Sequence, residues 1–263
     1  MLVLKLSIKA IWVLIKYGFK HQENFIPVVK SLWHFNKKIR ISVSAILLFE
    51  HEKRYILVQN HHRPEFYAPI GGVYKHTSDR PEILDKIEWN ADYTTNEVKE
   101  NDMKNDLRGV IYGKYFPNFI DWFTSRRGRE NEQCLYREIR EELLEGRVGK
   151  NHRDKTSNFK IDLIRTVIEG PNSVTDKSYH AQFRHFDIYR LDLTCDESKD
   201  IISTLQDRAS KGDNSLILVT KEEINEGRTN CGDKAIAPHT KYLFSSKWHG
   251  NEPAKYQSMN RHQ

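Results

Sequence analysis

Glu138, Glu141 and Glu142 are the residues of this chain best spaced to do chemistry. In a helix they stand at i, i+3 and i+4, which brings three carboxylates onto one face. Like charges so placed repel by a few tenths of a kcal/mol per pair. A hard divalent cation, Mg²⁺ or Mn²⁺, prefers oxygen ligands and would relieve that repulsion. Leu135, Ile139 and Leu143 run beside them at i, i+4 and i+8, the apolar stripe such a helix would bury. Taken alone, the segment Arg137-Glu138-Ile139-Arg140-Glu141-Glu142 suits a solvated acidic face equally well.

A second segment adds to it. Phe66-Tyr67-Ala68-Pro69-Ile70-Gly71-Gly72-Val73-Tyr74-Lys75 reads as a strand ending in a glycine pair, where the backbone can approach a ligand or turn sharply. The combination resembles the Nudix hydrolase superfamily, whose signature is G-x5-E-x7-R-E-U-x-E-E-x-G-U, with U a bulky apolar residue. Gly72 takes the place of the leading glycine, and Arg137, Glu138, Ile139, Glu141 and Glu142 match R-E-U-x-E-E. The resemblance implies that Glu138, Glu141 and Glu142 are the metal ligands and the catalytic carboxylates. It further implies that backbone carbonyls near Gly71 and Gly72 complete the metal shell and the substrate site. The chain departs from the signature in three ways. About fifty residues separate Lys75 from Gly128. The first signature Glu falls on Arg129, with Glu130 and Glu132 as near substitutes. The closing glycine falls on Leu144, with Gly146 two residues on.

A narrower resemblance rests on Arg40-Ile41-Ser42-Val43-Ser44, the Gly-Gly-Val-Tyr-Lys run, Asn105-Asp106-Leu107-Arg108, and Asp121-Trp122-Phe123 before Arg129-Glu130. Over about residues 38–245 the chain is similar to the SMODS-associated Nudix family. Those domains are encoded beside cyclic-oligonucleotide synthases in bacterial antiphage systems of the CBASS type, and some carry an N-terminal membrane segment. The resemblance implies a nucleotide or nucleoside-diphosphate ligand and a place in antiviral defence.

The elements that must position these residues are legible as a mixed set. Ile41–Phe49 and Arg54–Gln59 are β-branched, apolar runs split by Glu50-His51-Glu52-Lys53, a hairpin signal. Leu163–Ile168, Ala181–Leu193 and Ser215–Thr220 are further strands. The second of these alternates apolar and polar residues as a half-buried antiparallel strand does. Lys221–Glu226 reads as a short helix capped by Thr220. This order predicts an α+β fold, an α/β/α sandwich of Nudix type.

Three parts are expected: a basic amphipathic helical arm at 1–38, a Nudix domain at 39–247 with an insertion at about 76–127, and a flexible tail at 248–263. In the insertion, Phe116, Phe119, Trp122 and Phe123 form an aromatic stripe that suits core or a homodimer interface before ligand stacking. Arg126, Arg127 and Arg129 follow it. Guanidinium forks grip phosphates bidentately, so these three are candidate substrate-binding residues, set against a basic solvated turn. His61-His62 has no metal-ligand partner at useful spacing and reads as surface.

Charged residues make up 30% of the 263 and the mean hydropathy is −0.70, which excludes a multispanning protein. Cys134, Cys195 and Cys231 form no C-x-x-C pair, which suits a reducing cytosol and argues against a disulfide framework or structural zinc. Cys134 is expected to be a buried thiol. The net charge of +6 is unevenly held: residues 1–40 carry eight Lys and Arg against one acid, Glu23, leaving residues 41–263 at −1. The domain is therefore nearly neutral and its charge is no argument for nucleic-acid binding, which weakens the reading as an RNA-processing enzyme. Lys5, Lys9, Lys16 and Lys20 lie within about 60° of arc at helical periodicity, with large apolar residues around the rest. That pattern predicts an interfacial helix at residues 1–20 on an anionic membrane, placing the protein in the cytoplasm, peripheral or anchored at the inner face. The alternative is a helix packed on the protein itself. Two functions remain open: an Mg²⁺-dependent hydrolase of a nucleoside diphosphate linked to another group, and a nucleotide-sensing effector acting through the N-terminal helix.

Overall fold

The computed structural model describes residues 24–60, 63–77, 81–92, 105–139, 160–175 and 178–244. The N-terminal segment 1–20, Glu141, Glu142 and the tail 248–263 lie outside the described residues. Helices and strands are mixed, as the sequence predicts. They begin with helix α1 (Phe25–Leu32), then β1 (Lys38–Leu48), β2 (Glu50–His51), β3 (Arg54–Gln59), β4 (Phe66–Ala68) and β5 (Gly71–Val73). There follow α2 (Glu82–Lys86), β6 (Asn90–Ala91), β7 (Arg108–Tyr112), a 3-10 turn Gly113–Tyr115, α3 (Phe116–Thr124) and α4 (Gln133–Ile139). The chain then forms β8 (Ile161–Ser173), β9 (Ala181–Leu191), α5 (Asp196–Ser210), β10 (Leu216–Val219), α6 (Lys221–Glu226), β11 (Ala235–Ile236) and a 3-10 turn Pro238–Leu243. Strands are hydrogen-bonded in the order β6-β7-β1-β9-β8, with β5 also on β1, and in a second sheet in the order β10-β3-β4-β11, with β2 on β3.

Contacts divide the chain into two units. The first takes the chain through Ser42, His76–Arg129 and Glu169–Arg184. Here β7 pairs antiparallel with the start of β1, Ile39 opposite Ile111 and Ile41 opposite Gly109. The aromatic stripe of α3 is core: Phe116, Phe119 and Phe123 are buried. Phe119 stacks on Trp89 with centroids 5.6 Å apart, and Phe116 meets Phe183 edge-on at 4.9 Å. Leu107 is fully buried while Asp106 accepts from the Arg108 guanidinium at 3.0 Å, so the motif Asn105–Arg108 leads into β7 as structure.

The second unit takes Val43–Lys75, Glu130–Ile168 and the chain from His185 on. Its core joins Ile46 and Leu48 of β1 to Leu57, Tyr67, Val167, Ile188, Ile217 and Ile224. The β2–β3 hairpin turns on Glu52 and Lys53, both at positive φ (49° and 63°), the backbone of a type I′ turn. Thr220 caps α6 in a complete capping box: its side chain accepts from Glu223 N, and the Glu223 carboxylate accepts from Thr220 N at 2.8 Å.

One expectation is corrected. β9 is not half-buried: both faces are covered, and Gln182, His185 and Asp187 are buried among Phe183, Phe186 and Ile188. Alternation predicts a wet face only when the polar side chains have no partners inside. The helix α5, fifteen residues long, carries no strong sequence signal because it is mostly polar; among its described side chains Ser198, Ile202 and Leu205 are buried.

Candidate active site around Gly72 and Glu138

Strand β5 lies against β1 with Ala45 opposite Gly72 and Ile46 opposite Gly71. Helix α4 buries Leu135 and Ile139 of the predicted stripe, whose third member Leu143 lies outside the described residues, and Cys134 beside them, and thereby aims Glu138 at that strand. A Cβ on Gly72 would lie 2.1 Å from Glu138 Oε1 and 2.5 Å from its Cδ. Glycine at 72 is therefore the condition for Glu138 to lay its carboxylate on the strand backbone. The structure thus brings together two residues that stand 66 positions apart in the chain, as the sequence expects.

Arg137 holds that carboxylate in place. Its Nη1 donates to Glu138 Oε1 at 2.6 Å, and its Nη2 donates to Glu130 Oε2 at 3.4 Å. Adjacent helical side chains normally diverge, but the arginine stem is long enough to fold back. Side chains of all three are 15–23% exposed, so the pairing is screened less than at an open surface. Glu130 is bound in turn to the glycine strand: its carboxylate accepts from Lys75 N at 3.1 Å and its own N–H donates to Lys75 O at 2.8 Å. Glu130, a near substitute for the first signature carboxylate, reaches Arg137, although its spacing to Arg137 is one residue short. Arg129 does something else. It is buried, its Nε donates to Phe123 O at 2.9 Å, and its guanidinium lies 4.0 Å over the Phe123 ring. Arg126, at φ 58°, and Arg127 are exposed on the turn after α3. These three arginines belong to the first unit, whereas Gly71, Gly72 and Glu138 belong to the second.

Behind the strand lies a buried polar network that the alternating pattern of β9 conceals. Asp187 accepts from Tyr74 Oη at 2.7 Å, from Thr166 Oγ1 at 2.7 Å and from His185 Nε2 at 3.0 Å. Burial by itself would raise the Asp187 pKa. The charge and hydrogen bond of His185, with those of Thr166 and Tyr74, outweigh it and hold the carboxyl well below the usual range. Burial first, then the Asp187 charge, pushes the Tyr74 phenol far up. Cys134 is fully buried as expected, and burial followed by the Glu130 charge pushes its thiol up, against a smaller opposing effect of Arg137. It is an inert packing group rather than a nucleophile. The available signal for the network was His-x-Asp within a strand whose flanking residues are large and apolar.

Among the described residues no three His, Cys, Asp or Glu side chains cluster closely enough to hold a metal ion. Glu138 itself fits one: it is a hard oxygen donor, held in a cradle that a Cβ would fill.

This fold and this strand–helix arrangement define a Nudix-type domain. The SMODS-associated NUDIX domain family matches residues 38–244, and the chain belongs to that family. No curated protein and no solved structure matches it. Membership suggests a Nudix-type hydrolase role and implies a nucleotide-type ligand, and Nudix domains generally use divalent metals. Among the described residues no helix is long and apolar enough to cross a membrane.

Proposed function

We propose that the protein is an Mg²⁺- or Mn²⁺-dependent hydrolase of a nucleoside diphosphate linked to another group, serving in antiphage defence. One observation carries the reading: the Glu138 carboxylate sits over Gly72 and is oriented by Arg137 at 2.6 Å. Glu138, Glu141 and Glu142 are the residues that would hold the ion, with the backbone carbonyls of Gly71 and Gly72 nearby. When bound, such an ion supplies Lewis-acid polarisation of a phosphoryl oxygen. The chain's own contribution is positional. Arg137 fixes one carboxylate, Glu130 ties α4 to the residues after the glycine pair, and the missing side chain at 72 leaves room for the Glu138 carboxylate to lie on the strand backbone.

The test is a panel of nucleoside diphosphate derivatives assayed with Mg²⁺ and Mn²⁺, using wild type, Glu138→Gln and Glu142→Gln. Turnover should be metal-dependent and fall on the order of a hundredfold or more in both variants, with the fold intact.

A second reading is a nucleotide-sensing effector that acts at the cytoplasmic face of an anionic membrane through its N-terminal region. What favours it is the concentration of exposed apolar side chains on α1 and in the three residues after it. If no derivative is turned over but a nucleotide still raises the melting temperature, this reading replaces the first.

A further inference from the structure

Six large hydrophobic side chains are exposed among the described residues, and four of them, Phe25, Ile26, Trp33 and Phe35, lie within one stretch of eleven. Trp33 is the extreme case at 82% exposure, with Ile26 at 58% and Phe35 at 51%. Scattered exposed apolar residues are ordinary, but this many together mark a contact surface. At 100° per residue, Phe25, Ile26, Lys30 and Trp33 fall within about 140° of arc. The other side of the helix is committed: Pro27, Val28 and Ser31 are buried. Close packing holds it there, since a Cβ on Gly113 would come within 2.3 Å of the His34 carbonyl oxygen and 2.8 Å of that of Ser31. The helix cannot roll its apolar arc inward without opening that contact.

The chain segment that carries the patch is basic, while the adjoining 3-10 turn sets Lys114 against Glu88 at 3.8 Å. Between Asn24 and Phe49 there is no Asp or Glu, while Lys30, Lys37, Lys38 and Arg40 are all present. Arg40 is paired with Asp92 at 2.6 Å, and Lys37 and Lys38 are exposed beside Phe35. Large apolar side chains bordered by exposed lysines fit a surface that is apolar beneath and anionic above, with tryptophan at the boundary. Nucleic acid would satisfy the lysines and leave the apolar arc in water. A two-fold contact with a second copy would cover the arc but set the lysines against themselves.

We infer that the exposed arc of α1, with Trp33 and Phe35, docks into the headgroup layer of an anionic lipid bilayer. The inference rests on the membrane-associated reading above and moves its contact surface from residues 1–20 to residues 25–35. Full-length protein is floated with phosphatidylcholine vesicles, with and without phosphatidylglycerol. The variants are Ile26→Ser/Trp33→Ser/Phe35→Ser, Trp33→Ser alone, and Lys5→Gln/Lys9→Gln/Lys16→Gln/Lys20→Gln. Wild type should float only with the anionic vesicles. The triple variant should lose about tenfold or more of that partitioning with its melting temperature unchanged, and Trp33→Ser should lose part of it. Partitioning of the patch variants equal to wild type, with loss in the lysine variant, overturns the docking surface and leaves residues 1–20 as the membrane contact. No flotation of wild type overturns both. A wild-type dimer that the triple variant dissolves, without lipid binding, gives the face to a second copy and overturns the inference.

Discussion

Gly72 and Glu138 occupy the same space in different senses: a methyl on the first would overlap the carboxylate of the second, at 2.1 Å from Oε1. A glutamate side chain can swing away, so Gly72→Ala should fold, with a melting temperature within a few degrees of wild type. The swing takes the carboxylate off Arg137 and off the strand. Divalent-cation affinity measured by calorimetry should therefore fall about tenfold or more. Gly71→Ala is the contrast, because its Cβ would meet the Ala45 carbonyl oxygen at 2.5 Å. Backbone cannot swing, so that variant should lose about 1–3 kcal/mol of stability. Equal behaviour of the two variants would show that Gly72 has no special relation to the acidic helix.

Glu130→Gln should separate the carboxylate that matters from its neighbour. Glu130 accepts both from Lys75 N and from Arg137, and charge-assisted hydrogen bonds are roughly twice as strong as neutral ones. Its side chain is 23% exposed, so screening limits the loss to about 1 kcal/mol in urea unfolding. Glu132→Gln should change stability by less than about 0.5 kcal/mol. If Glu132→Gln were the costlier, Glu130 would not be the stand-in for the displaced signature residue.

Asp187→Asn tests the network behind the strand. Three donors converge on this carboxylate, and losing its charge in a buried site should cost about 2 kcal/mol or more near neutral pH. The folded-state pKa is depressed, so the stabilisation is fully present above the ordinary carboxylate value of about 4 and is lost as the pH falls below it. The gap between wild type and variant in urea melts should be flat from neutral pH down to that value and then close. A gap that widened toward acid would mean that Asp187 is not held ionised.

Thr220→Ala should cost about 1 kcal/mol, the ordinary value of an N-cap. Glu223→Ala should cost more, because its carboxylate also accepts from Asn230 N at 2.7 Å, leaving two backbone donors without that acceptor. Urea unfolding of the two variants gives the order directly.

Several features were decided by local sequence alone. The apolar stripe at 135 and 139, the Thr220 cap, the hairpin between Phe49 and Arg54 and the burial of Cys134 follow from periodicity, side-chain chemistry and turn geometry within a few residues. The pairing of Gly72 with Glu138 was legible across the insertion because a family signature links them. Tertiary structure decided what depends on partners brought from elsewhere. Asp187 is buried and ionised because the charge and hydrogen bond of His185, with donors from Thr166 on the neighbouring strand β8 and Tyr74 just after β5, outweigh its burial, so an alternating strand became a two-faced core strand. Arg129, a candidate phosphate ligand by sequence, is buried because Phe123 offers it a carbonyl and a ring, a pairing set by the turn after α3. Glu130 took the structural place of the signature carboxylate because reach, not spacing, selects the partner of Arg137. The apolar arc of α1 became a surface because Gly113 fixes which side of that helix packs inward, and sequence periodicity carries no such information.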